Sequence, residues 1–450
     1  MFNATKRTAL FLAAALLLCS LTACEKTPIP SSEEGTEDTR SSAAPDSAST
    51  DKELNFTKME TEYELTKLAD LRNNREAEIA AVKSENYENL VLSEDFTLNI
   101  PDTDTLYQLG LSSKRLSGEE CCKRFEELFD SLFGGIYTDE ELKELVHFRP
   151  DEKHRGLEKE NADYPDYMPL YYQYRDEIIS GDMGASEILI DTDKCYLEMF
   201  ASGHVHGFSR GLARGKYRPV KEGRPIGFWY PYDYGIPEEE NSFTESPCEI
   251  SDKEIYRLIG GEASVFEAAN TAEKFIEENG FGGSGEFKPK AIRARAVNLG
   301  DGYYGYLLTL VRCYKDVNFY DSEETGYYTR HGREYLLWGG GEAFMLEKGE
   351  VDVSVGFDGA YDIEEIGEFD SVISFKKAAD IFSKSFSAYA DINIEKAELV
   401  YTDFPLGEYN SGEHEVIPTW HFTVRSLGED FLYDFWINAV TGEYGYTHLN

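Results

Sequence analysis

Positive charge is scarce in this chain: 44 Lys and Arg stand against 85 Asp and Glu, giving a formal charge of −41. Such a body is repelled by nucleic acid and by anionic headgroups, which removes both as partners held by charge attraction. Cysteine is sparse as well, with seven in 450 residues, and its spacing matches no zinc motif. Long apolar runs are missing, since the uncharged stretch from Ala9 to Leu21 is too short to span a bilayer comfortably. The acidic loops lack the D-x-D-x-D-G pattern of an EF-hand, so the carboxylates read as surface solvation. What is abundant is apolar and aromatic character. At 41% hydrophobic and 14% aromatic residues, the chain is globular despite its acidity. Its length corresponds to two or three domains, each able to bury a core.

Lys6 and Arg7 precede the apolar stretch as a positive n-region, and the stretch ends in Leu21-Thr22-Ala23-Cys24. This is the order of a signal peptide, and its last four residues resemble the lipobox of bacterial lipoproteins. The resemblance implies cleavage before Cys24 and acylation of Cys24 with chains such as palmitate. It also implies attachment to the cell membrane, facing outside the cytoplasm. Removing residues 1–23 takes away Lys6, Arg7 and no acid, so the charge moves from −41 to −43. Attachment then rests on the acyl chains, of which one holds marginally and two or three hold stably. Residues 24–54 are Ser/Thr/Glu/Pro-rich and almost without large apolar side chains, which predicts a flexible tether. As a coil it spans about 30 Å. The export address permits disulfides, yet Cys121, Cys122, Cys195, Cys248 and Cys313 are odd in number. Mostly free, buried thiols are expected, with a Cys195 bridge to Cys248 or Cys313 left open.

Residues 55–245 read as one α+β domain with long loops. Helical spacing runs from Tyr63 to Lys83, and strands are expected at Leu90–Ile100 and Leu106–Leu111. Ser117 and Glu120 form a capping box for a helix with Phe125, Leu128, Phe129 and Leu132 on its buried face. Strand character returns at Glu187–Met199. From 246 to 360 the pattern changes: a helix begins at Phe266-Glu267-Ala268-Ala269, with strands near 291–298 and 303–314. Residues 361–450 restart it with Phe375-Lys376-Lys377-Ala378-Ala379, then strands near 392–401, 416–426 and 431–440. Both units read as a helix followed by an antiparallel meander, which raises duplication.

The last unit carries the clearest pattern. Alternation in Val416–Val424 sends Trp420, Phe422 and Val424 to one face and Thr419, His421 and Thr423 to the other. The chain closes with Asn438-Ala439-Val440-Thr441-Gly442-Glu443, where Gly442 suits a positive-φ position. The Trp-x-Phe strand together with this closing hexapeptide resembles PepSY-type domains, found in exported propeptides and envelope lipoproteins. The likeness covers about 371–446, and more weakly 264–358. It implies no catalytic residues and a restraining or tuning role toward a peptidase or other envelope protein.

Several constellations bear on chemistry. Gly207-Phe208-Ser209-Arg210-Gly211 matches the G-x-S-x-G nucleophile elbow, in which a tight strand-to-helix turn presents Oγ to a histidine, for which His331 is one candidate. The glycine- and proline-broken sequence after Ser209 offers no such helix, which makes a chance loop the better reading. Gly280–Gly285 matches G-x-G-x-x-G formally but follows a helix, so a helix end explains it better than a dinucleotide site. His204 and His206 are spaced for one face of a strand and are weak metal candidates, lacking a third ligand beyond Asp191, Asp193 or Glu198. Tyrosine is dense at Tyr164, Tyr167 and Tyr171 and again at Trp229, Tyr230 and Tyr232. Those aromatic loops are the best candidate binding surface for sugar or peptide, set against their use as anchors of long loops on the core.

The reading is an acidic, membrane-tethered α+β lipoprotein, noncatalytic and without cofactor, that binds or regulates an envelope protein, peptide or glycan. The alternatives are a serine hydrolase using Ser209 and the solute-binding component of a transporter. The latter predicts two parallel-sheet lobes around a cleft.

Overall fold

The computed structural model describes residues 56–114, 116–151, 171–192, 195–201, 205–210, 220–221, 224–225, 245–251, 253–280, 286–300, 302–320, 326–330, 333–336, 341–355, 360–386, 392–406, 412–426 and 432–449. They lie within one compact unit, Leu54–Asn450. The predicted helix start at Ser117 is present: its hydroxyl accepts from the Glu120 N–H, and the Glu120 carboxylate reaches back to the Ser117 N–H. Ser264 and Glu267 repeat that capping box, and Ser374 caps with its hydroxyl on the Lys377 N–H. Each serine thereby satisfies donors that the first turn of a helix leaves without partners.

Three segments then share one order. Helix Gly118–Phe133 leads to strands Val146–Pro150, Ala185–Asp191, Cys195–Phe200 and Val205–Arg210, each antiparallel to the next. Helix Val265–Glu278 leads to Lys288–Gly300, Tyr303–Tyr314, Gly341–Met345 and Asp352–Val355 in the same consecutive pairing. Helix Phe375–Ser385 leads to Ile392–Pro405, Glu413–Ser426, Leu432–Asn438 and Tyr444–Leu449, again consecutive and antiparallel. Four and five residues after each capping serine stand two small side chains: Cys121 and Cys122, Ala268 and Ala269, Ala378 and Ala379. All six are at most 2% exposed. Small residues there let the helix lie close against its meander. The expected pair of helix–meander units is therefore joined by a third segment of the same order within 118–210.

Sheet membership crosses the boundaries expected at 245 and 360. The first two meanders join edge to edge, through Val353 opposite Phe208, into one ten-stranded sheet. Their two helices pack over a single core that includes Phe125, Phe133, Ile188, Phe208, Ala268, Ile276, Leu308 and Met345. The third meander sits in a nine-stranded sheet that recruits strands from far upstream. Leu90–Asn99 pairs in parallel with Ile392–Pro405, while Leu106–Lys114 pairs with Ala360–Phe369 and with the 413–416 end of Glu413–Ser426. Its core gathers Leu68, Leu71, Phe375, Phe382, Trp420, Phe422 and Phe435. Apart from the Leu90–Asn99 pairing, the strand pairs of the two large sheets are antiparallel. Two parallel-sheet lobes are not among the described elements.

Two segments depart from a plain meander: helices Asp139–Leu145 and Tyr171–Ser180 flank the first strand of the first, and the middle one carries a longer excursion. Between the second and third strands of the middle segment, Lys315 and Asp316 take φ of 45° and 65° and turn the chain back into Val317–Asn318. Two positive-φ residues in a two-residue loop match the twist of the flanking strands. Downstream, Gly326–Arg330 adds itself to Tyr444–Leu449, with Tyr328 opposite Thr447, and Arg333–Leu336 returns beside it. This strap carries residues of the middle segment onto the outer face of the last one.

Candidate functional site

The outer face of the last meander is the side to which alternation assigns Thr419, His421 and Thr423. The expected division of the strand is present, with Trp420 and Phe422 in the main core. The other face is covered as well: Thr419 is 0% and His421 1% exposed. A small second core forms there from Tyr320, Val400, Phe404, Ile417 and Trp436, with Met59 packed against it. Tyr320 arrives with the strap, whose chain is pinned where the Tyr320 N–H donates to the Tyr401 carbonyl at 2.7 Å.

Polar groups under this cover fall into two clusters. In the first, Arg330 places Nε and Nη2 on the two carboxylate oxygens of Glu443, both at 3.2 Å, and Nη1 on Glu415 Oε2 at 3.0 Å. The guanidinium also lies 4.5 Å from the centre of the Phe404 ring. Burial opposes its charge, but the two carboxylates outweigh that penalty and raise its pKa further, so it stays protonated. Gln108 Nε2 donates to Glu415 Oε1 at 2.7 Å, and Gln108 Oε1 accepts from the Met59 N–H at 2.9 Å. Three distant stretches of chain are thus joined through one bidentate arginine.

Glu443 belongs to the closing hexapeptide, and the structure explains that sequence. Asn438 Oδ1 accepts from the N–H groups of Val440 and Thr441 at 2.9 and 3.0 Å, and Thr441 Oγ1 accepts from the Glu443 N–H at 3.2 Å. Gly442 takes a φ of 73°, and a Cβ there would meet the Tyr63 ring at 2.5 Å. The Ile373 N–H donates to the Ala439 carbonyl, while the Trp420 indole N–H donates to the Ile373 carbonyl at 2.9 Å. The turn therefore fastens the strand pair to the start of helix Phe375–Ser385.

The second cluster lies one strand step away. Tyr320 stacks on His421 with ring centres 3.6 Å apart, and its hydroxyl donates to Asp434 Oδ2. Thr402 Oγ1 is 2.8 Å from His421 Nε2 and 2.6 Å from Thr419 Oγ1. Among the described residues, His421 Nδ1, Asp434 Oδ1 and Trp436 Nε1 are buried without a hydrogen-bond partner. Burial holds the His421 imidazole well below its usual pKa, with Lys396 acting in the same sense, so the ring is neutral. Burial pushes the Asp434 carboxyl up to about 7, against a smaller opposing effect of Arg293.

The residues singled out from sequence lie elsewhere. Ser209 sits inside strand Val205–Arg210, opposite Tyr196 and 0% exposed, so the backbone is extended where a nucleophile elbow turns. His331 lies outside the described residues. His206 is on the same strand, and His204 lies outside the described residues; among those described, no group of three or more His, Cys, Asp or Glu could hold a metal ion. Gly280 has a φ of 68° just beyond its helix, a conformation that suits a helix end. Cys24, Tyr164, Tyr167, Trp229, Tyr230 and Tyr232 lie outside the described residues, as does the 24–54 tether. Tyr171 opens helix Tyr171–Ser180, and Tyr174 in that helix packs edge-on against Phe148 at 5.7 Å, an anchoring contact. Beside that helix a cleft of about 370 Å³ is lined by Phe125, Phe129, Leu142, Val146, Asp130 and the Glu126–Arg175 ion pair. Of the five described cysteines, Cys121, Cys122, Cys195 and Cys313 are buried and Cys248 is partly accessible. Burial pushes the Cys313 thiol up to about 11, which leaves it protonated and inert.

Reading from sequence missed Tyr320, Arg330 and Asp434. One signal was present: in Phe431–Ile437 both parities of the strand carry large apolar residues, the pattern of a strand buried on two faces. No protein-family model matches the chain, and no curated protein matches it.

Proposed function

We propose that the chain is an extracytoplasmic lipoprotein, acylated at Cys24 after loss of residues 1–23, whose body acts by binding rather than by catalysis. The observation that carries the location is Leu21-Thr22-Ala23-Cys24 following Lys6, Arg7 and an uncharged stretch. The acidic body adds no attraction to anionic lipid, so the acyl chains hold the protein and the tether sets its height. No helix among the described residues is long and apolar enough to cross a membrane.

The body is read as PepSY-like at 371–446 and again at 264–358, with 55–245 as an α+β region ahead of them. This reading is supported by a helix laid on a four-stranded meander and by a closing hexapeptide whose residues each hold a turn contact. Its role is to bind or regulate an envelope protein, a peptide or a wall fragment, with the aromatic loops around Tyr164 and Tyr230 as the surface for a glycan. Mass spectrometry of the membrane fraction tests the anchor: a diacylated or triacylated Cys24 is expected, and Cys24→Ala should abolish acylation. An intact Met1 or an unacylated mature form overturns the location. Crosslinking in intact cells tests the role, with recovery of one envelope enzyme or sensor expected. Labelling of the wild type by a serine-reactive probe, lost in Ser209→Ala, would replace binding with hydrolysis.

A further inference from the structure

The strap reaches the last meander at two points of different chemistry. At residues 326–330 it is held by strand pairing and by Arg330, a permanent cation between two carboxylates. At residues 317–320 it is held by Tyr320, which stacks on a neutral imidazole and donates to a carboxyl group whose other oxygen, among the described residues, has no hydrogen-bond partner. Asp434 is 6% exposed; Tyr320 from the strap donates to it, Thr423 stands opposite it on the neighbouring strand, and position 447 is its register partner on the other side. Arg293 acts on it from the middle meander, and Lys396, paired with Glu398 at 2.7 Å, acts on His421 beyond it.

We propose that the Tyr320 end of the strap is a proton-dependent latch, closed while Asp434 is protonated and released as Asp434 ionises, with the Arg330 end remaining fastened. The charge chemistry follows from burial. An ionised Asp434 in the closed state would keep one donor, Tyr320, and leave Oδ1 buried with nothing to receive from. Opening lets water reach it. The closed-state carboxyl titrates near 7 and the ordinary value is 3.8, so closure is fully favoured in acid. It weakens as pH rises from the ordinary value toward neutrality, and is constant above about 7 because both states are then ionised. In an envelope protein such a latch would expose Trp436 and His421 to a partner at neutral pH and cover them in acid.

Hydrogen exchange of the full chain, corrected for the intrinsic pH dependence of exchange, reads the latch directly. Opening at 317–320 is expected to rise by up to about a hundredfold between about pH 5 and about pH 8, then flatten. Peptides at 326–330 and in helix Phe375–Ser385 should change much less. Asp434→Asn, which keeps a neutral group of the same shape, should make opening at 317–320 independent of pH. Tyr320→Phe should open faster throughout yet keep the pH dependence, and it serves if Asp434→Asn does not fold. A flat wild-type profile, a retained slope in Asp434→Asn, a flat profile in Tyr320→Phe, or helix Phe375–Ser385 exchanging in step with 317–320 each overturns the proposal.

Discussion

The first and last meanders follow the same strand order yet solve burial differently. In the ten-stranded sheet, two meanders lie side by side and their helices share one core, so each protects the other's edge. The last meander has no such neighbour. It is enclosed above by its own helix and below by pieces borrowed from Met59, Tyr320 and Arg330, and its edges take Leu90–Asn99 and Gly326–Arg330. The lesson is that one supersecondary order can be stabilised by lateral fusion or by wrapping.

Substitutions can separate these two solutions. The largest effect is expected from Trp420→Ala, which empties the core of the wrapped meander and removes the bond to Ile373, for about 3–5 kcal/mol in urea unfolding. Leu308→Ala in the fused sheet should cost about 2–5 kcal/mol. Region-resolved exchange should then show each loss confined to its own sheet if the two cores are independent. Arg330→Ala comes next. It leaves Glu415 and Glu443 facing each other under partial cover, for about 2 kcal/mol. Its loss should loosen the wrapped meander alone, and equal loosening of both sheets would erase the distinction. Smallest is the capping series: Ser117→Ala, Ser264→Ala and Ser374→Ala should each cost about 1 kcal/mol by thermal unfolding. Ser374 lacks the reciprocal carboxylate of the other two, so its substitution should be the mildest.

Local features of this fold were legible and distant ones were not. The Ser117 capping box, the inward Trp420 and Phe422 and the positive φ of Gly442 depend on residues within a few positions of each other, and periodicity exposes them. The union of Leu90–Asn99 with Ile392–Pro405 joins residues some three hundred positions apart, and no short-range pattern carries it. The same holds for the cover over Thr419 and His421. Their alternation is that of a half-buried strand, and the opposite outcome comes from Tyr320, which lies about a hundred positions upstream. Asp434 looked like one more surface acid among 85, and its place beneath a tyrosine from another segment changes its chemistry. Of the strongest candidates by sequence, Cys24 and the aromatic positions Tyr164, Tyr167, Trp229, Tyr230 and Tyr232 lie outside the described residues.

The wrapped arrangement also decides what can be cut out of this protein. A fragment starting near residue 361 would retain its helix, its closing turn and all four of its own strands. It would nevertheless present Trp436, Phe404 and Ile417 to water and leave Glu443 and Glu415 without their shared cation. The last segment is separable on the page of a sequence, but as a folded object it is completed only by the chain that comes before it.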